Sequence, residues 1–151
     1  MTHRQMTAKD YGKAIGVGIA TAIILSLIIV PANQAGFLPM PRPLSLAFAQ
    51  LLFGDVPLVV GLLFHLLYVT FWSVIYLRVF TQPTFFNALY LAVGLWLLVL
   101  VLFFPIIGWG LFGLAVGPML MVAALIPHLL FAIVLWGLSR LAFARGGAGP
   151  I

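Results

Sequence analysis

Four apolar runs, each long enough to cross a bilayer, occupy most of this chain: about residues 14 to 31, 56 to 79, 87 to 107 and 116 to 139. A spanning helix needs about 20 predominantly apolar residues. In lipid there is no water to bond the backbone, so each run must satisfy its own N–H and C=O groups as a helix. None of the four alternates apolar and polar residues with a period of two, the pattern a barrel strand would need. The chain is 65% hydrophobic and 6% charged, against roughly 25% charged in a soluble domain. The expectation is therefore a single integral membrane domain over residues 1–151, all-α, with four transmembrane helices in one bundle.

The formal charge of +5 does not point to nucleic acid, because the basic residues are few and stand at the ends of the apolar runs. Arg4, Lys9 and Lys13 precede the first run, Arg78 ends the second, and Arg140 and Arg145 follow the fourth; Arg42 alone falls on the other side. By the positive-inside rule, both termini are expected in the cytoplasm and membrane lipid is the first partner. A basic start before an apolar run also fits a secretory signal, but this run is longer than a signal core, so it is expected to stay as a helix. With no cysteine, disulfides and thiolate metal sites are excluded.

The chain is also written twice. His65-Leu66-Leu67-Tyr68 in the second run returns as His128-Leu129-Leu130-Phe131 in the fourth, with Gly61 falling on Ala124. Ala14 to Pro31 and Ala88 to Pro105 are apolar segments of equal length, each closed by a proline. Two tandem helical hairpins are expected, related by a pseudo-twofold axis along the membrane normal.

Along the first run, Ala14, Gly18, Ala22 and Ser26 recur every fourth residue beside a second stripe of Gly12, Gly16 and Ala20. Small residues at that spacing let a neighbouring helix approach closely, here within the bundle. After the Pro39 to Pro43 stop, residues 44 to 53 form a short apolar segment expected at the outer interface, either tucked partly into the bundle or covering a partner. Asp55 is placed to cap the second spanning helix. The uncharged link from Gly108 to Pro118 is expected to make a tight turn with Trp109 at headgroup level.

Ionisable side chains inside a membrane are functional candidates by default, and here they are His65 and His128. Counting back from Arg78 and Arg140 at about 1.5 Å per residue places both some 18 to 20 Å up, at matching depth. Two facing imidazoles are what a six-coordinate b-type haem needs; Gly61 and Ala124 would leave room for its ring and Arg42 would meet a propionate. A quinone or other cofactor contact is a further reading. So is a structural hydrogen bond, for which Pro127 frees the carbonyl of Ala123 beside His128. Zinc or copper lacks a third ligand, Met119 and Met121 being the only soft groups near His128. No catalytic constellation is visible, no glutamate exists, and no acid of the kind ion-coupled transporters use lies mid-helix. A pore would need a polar stripe, supplied only by Thr70, Ser73 and Tyr76.

Taken together, the small-residue first helix, His65 to Tyr68, the Phe104 to Leu114 link with its Gly-Trp-Gly, and His128 to Phe131 resemble a bacterial family of short four-helix inner-membrane proteins, a domain of unknown function. The resemblance covers about residues 14 to 140, with the family's usual glycine after the last histidine motif displaced to Gly137. It implies a four-helix protein of the bacterial inner (cytoplasmic) membrane and carries no activity. By elimination, the expected role is a non-catalytic accessory or structural subunit of a larger membrane complex, plausibly of respiratory or photosynthetic electron transfer, with other membrane-protein subunits as partners. A b-type cytochrome with axial His65 and His128 is the alternative, and a small oligomeric pore or permease a further one.

Overall fold

A computed structural model describes residues 6–80 and 83–143 of the chain. Its helices are α1 (Ala8–Gln34), α2 (Leu44–Phe53), α3 (Leu58–Val79), α4 (Phe85–Ile106) and α5 (Met119–Phe143). Among the described residues there is no strand. All but α2 are long and apolar enough to cross a membrane. Large apolar side chains such as Leu27, Leu67 and Leu141 stand on the outer faces, a pattern suited to lipid and not to water. The protein is an all-α, multi-pass membrane protein. The expected basic residues Arg4 and Arg145, the turn at Thr81 and Gln82, and the tail from Ala144 to Ile151 lie outside the described residues.

The helices overrun the apolar stretches because their polar ends carry their own start and stop signals. Thr7 and Asp10 form a capping box: the Asp10 amide donates to the Thr7 hydroxyl at 3.2 Å, and the Thr7 amide donates to the Asp10 carboxylate at 3.0 Å. This satisfies two otherwise orphaned amides. The residues from Ala8 to Lys13, ahead of the first apolar run, are thus the first turns of α1. At the other end α1 continues through Pro31, and the Ala35 amide closes it on the Pro31 carbonyl at 2.8 Å. Asp55, by contrast, does not cap α3; Pro57 holds the N-cap position and no side chain bonds the first turn.

Residues Val99–Phe103 of α4 form a π-helical turn, with the Phe104 amide donating to the Val99 carbonyl. Pro105 explains it. A proline has no N–H, and its ring collides with the carbonyl four residues back, so the turn before it widens.

Helix α1 packs on α3 and on α5, α4 packs on α5, and α2 packs on α3. At the first of these contacts a β-carbon on Gly18 would sit 2.7 Å from the Thr70 Cα, so the stripe of Ala14, Gly18 and Ala22 faces the inside of the bundle. The neighbouring Gly12 and Gly16 look outward onto open space. Helix α2 is docked and not merely surface-bound: Ala47 and Ala49 are buried, and Ala47 joins Val99, Phe104, Trp109, Leu120 and Ala124 in a core cluster.

The link after α4 folds inward. Trp109 is 5% exposed and its ring lies 5.4 Å from that of Phe104, so it faces into the bundle. A turn of 3₁₀ helix at Leu111–Gly113 follows. Gly113 takes φ +78, and a β-carbon there would come 2.7 Å from Leu120 Cδ2, so only glycine fits between α4 and α5.

The cations sort to opposite ends. Lys13 Nζ donates to the Ala142 carbonyl at 3.2 Å, Arg78 donates to the Tyr11 hydroxyl, and the Arg140 guanidinium lies 5.4 Å from the Trp136 ring centroid. The start of α1 and the ends of α3 and α5 therefore share one end. Arg42, between α1 and α2, sits at the other and donates to Gln50.

Candidate functional site: a cavity between the helices

Helices α3 and α4 are not closely packed against each other. Across the space between them, the Tyr68 and Phe103 rings meet with centroids 6.1 Å apart, and Phe48 of α2 meets Phe103 at 5.5 Å. The gap opens into a cavity of about 270 Å³ with walls from all five helices. Leu25, Ile29 and Val30 come from α1, Val99, Phe103 and Phe104 from α4, and the π turn is what presents the last group.

Both histidines line this one cavity. Positions aligned by the two histidine motifs all line it: Phe64 and Pro127, His65 and His128, and Tyr68 and Phe131.

The polar atoms of the wall are unevenly satisfied. His128 Nδ1 lies 2.7 Å from the Ala124 carbonyl. A carbonyl oxygen only accepts, so Nδ1 carries the hydrogen and the neutral ring keeps a bare lone pair on Nε2. The acceptor is Ala124, one residue later than the Ala123 carbonyl expected from Pro127. His65 Nε2 is buried without a hydrogen-bond partner. The Tyr68 hydroxyl is buried and unpartnered too. A polar group left in that condition costs about 1–3 kcal/mol. Two such groups on one cavity wall are a reason to look for a ligand.

No Asp, Glu, Lys or Arg is among the lining residues. Arg42, expected near a propionate, is exposed and held by Gln50. Gly61 does not leave room for a ring either: its missing side chain is replaced by α2, whose Leu46 Cα lies 2.7 Å from where a β-carbon would be. Ala124 does line the cavity. Among the described residues, no three of His, Asp or Glu gather as a metal site.

Ser73 and Tyr76 are fully buried; the first donates to the Val69 carbonyl at 2.7 Å and the second to the Thr84 carbonyl at 2.9 Å. The polar stripe considered for a pore is thus taken up in helix packing, and Ser26 is the member of the small-residue stripe that reaches the cavity. The docking of α2 follows the expectation for residues 44 to 53, whereas its place on the cavity wall and the Tyr68 hydroxyl were not anticipated from sequence. The signal for the latter is the difference between His-Leu-Leu-Tyr and His-Leu-Leu-Phe.

No protein-family model matches the chain, and no curated protein or solved structure matches it.

Proposed function

We propose that this protein binds a small, neutral, largely apolar molecule within the membrane, in the cavity that His65, Tyr68 and His128 share. The observation carrying this is the combination of an apolar space of about 270 Å³ with buried, unpartnered polar atoms on its wall. A concave apolar site with a few convergent polar groups is the usual form of a small-molecule site. An apolar cavity of about 150 Å³ already takes benzene, so this one has room for a larger substituted ring. The same membrane reading places the chain in a bacterial inner membrane as two tandem hairpins with cytoplasmic termini. The paired lining positions and the grouping of Lys13, Arg78 and Arg140 at one end support it. The resemblance to short four-helix inner-membrane proteins agrees with it.

The test is solvent extraction of the protein purified in mild detergent, with mass spectrometry of the extract and a reduced-minus-oxidised visible spectrum. The same measurements on Val99→Trp, which fills the cavity, provide the comparison. A stoichiometric apolar compound in the parent that the variant lacks supports the reading. An extract with no such difference overturns it, and a b-type band lost in His65→Ala and His128→Ala replaces it with the bis-histidine haem.

A second reading, an accessory subunit of a larger electron-transfer complex, is favoured by Gly12 and Gly16, which leave a small-residue face of α1 open to another helix. Its check is the size of the native assembly in mild detergent, which should exceed that of the chain alone and shrink to it in a harsh one.

A further inference from the structure

We infer that the cavity's occupant is a quinol, an aromatic ring carrying two hydroxyls, and that the site prefers it to the corresponding quinone; this rests on the cavity reading above. The preference follows from hydrogen-bond direction. With Nδ1–H committed to the Ala124 carbonyl, His128 offers the cavity an acceptor and no donor. A quinol O–H can donate to that His128 lone pair. His65 Nε2, buried without a partner, belongs to a second residue of the same wall. A quinone brings acceptors alone and gains no bond from His128; Tyr68, Ser26, Ser45 and Trp72 are the donors of the lining.

Other occupants fit the wall less well. A fatty acid or an anionic lipid headgroup would bury a carboxylate or phosphate with no cation in the lining. A haem brings two propionates with the same difficulty and a macrocycle much larger than the space that Leu46 leaves at Gly61. A plain hydrocarbon fills the volume but leaves His65 Nε2 and the Tyr68 hydroxyl unsatisfied. A substituted ring with two hydroxyls answers both the apolar walls and the polar atoms. The aromatic rings of Trp72, Phe103 and Phe131 supply faces and edges for it.

The experiment reconstitutes the full chain in phosphatidylcholine nanodiscs and measures, under anaerobic conditions, retention of a short-tailed para-benzoquinol and of its quinone. The expected result is saturable binding of the quinol about tenfold tighter than the quinone, a difference of about 1.4 kcal/mol. His128→Phe should abolish that preference, while His128→Gln, whose side-chain oxygen still accepts, should keep part of it. Tyr68→Phe preserves the ring shape and should weaken the quinone more than the quinol.

Equal affinity for the two forms, preference for the quinone, or a preference that survives in a folded His128→Phe protein each overturns the inference. If neither form binds while extraction still finds another compound that Val99→Trp lacks, the quinol inference fails and the cavity reading stands. If Val99→Trp retains the quinol as well as the parent does, the cavity reading itself fails.

Discussion

The Cα of Thr70 lies 2.7 Å from the point where a β-carbon on Gly18 would stand, so α1 and α3 meet backbone against backbone. In lipid the gain from hiding apolar surface is absent between helices, and close van der Waals packing takes its place. This contact joins the helix that contributes Leu25 and Ile29 to the helix that carries His65.

Gly18→Ala should therefore destabilise the bundle on the order of 1–3 kcal/mol, the range for overpacking a filled core. Gly16→Ala is the control. Nothing lies within 4 Å of its added carbon, and alanine is the better helix former by up to about 1 kcal/mol. Unfolding of both variants in mixed detergent and denaturant measures the difference, and equal stability would remove the contact from the account.

Gly61→Ala should undock α2. Its new β-carbon meets the Leu46 backbone, which cannot swing aside as a side-chain tip would. The expected readout is faster proteolysis and greater alkylation of a cysteine introduced at Ala49, a residue that is 0% exposed in the parent. Unchanged protection would show that α2 is held by something else.

Trp96→Phe removes one identifiable bond. Trp96 Nε1 donates to the Met121 carbonyl at 3.0 Å and so ties α4 to α5. Inter-helical hydrogen bonds in membranes average about 0.6 kcal/mol, so the loss should fall between that and about 1.5 kcal/mol. Thermal unfolding of the variant checks it.

Ser139→Ala should be neutral or stabilising by up to about 1 kcal/mol. The Ser139 hydroxyl is buried without a hydrogen-bond partner, and removing the oxygen relieves its desolvation. A clear loss of stability in the same unfolding assay would show that the hydroxyl is satisfied by water or a ligand.

Much of this was readable along the chain. The four spanning helices, the short helix at residues 44 to 53 and the equivalence of the two histidines follow from apolar run length, prolines and a repeated motif. Such signals are local, because a bilayer demands about 20 apolar residues whatever the helix packs against. The sequence alone thus determined that this is a helical membrane protein with two histidines in a repeated motif.

Which faces meet was decided only by the tertiary structure. These helices are apolar nearly all round, so periodicity does not mark an inward face as it does in a soluble bundle. Gly61 faces α2 instead of a ligand, and Trp109 turns inward against Phe104. Pro57, and not Asp55, holds the N-cap position of α3. Pro105 widens α4 into the π turn that sets Phe103 across from Tyr68. Each depends on how close two backbones can come, a property of pairs of segments far apart in the chain. For that reason the cavity, unlike the helices around it, is a product of the packing.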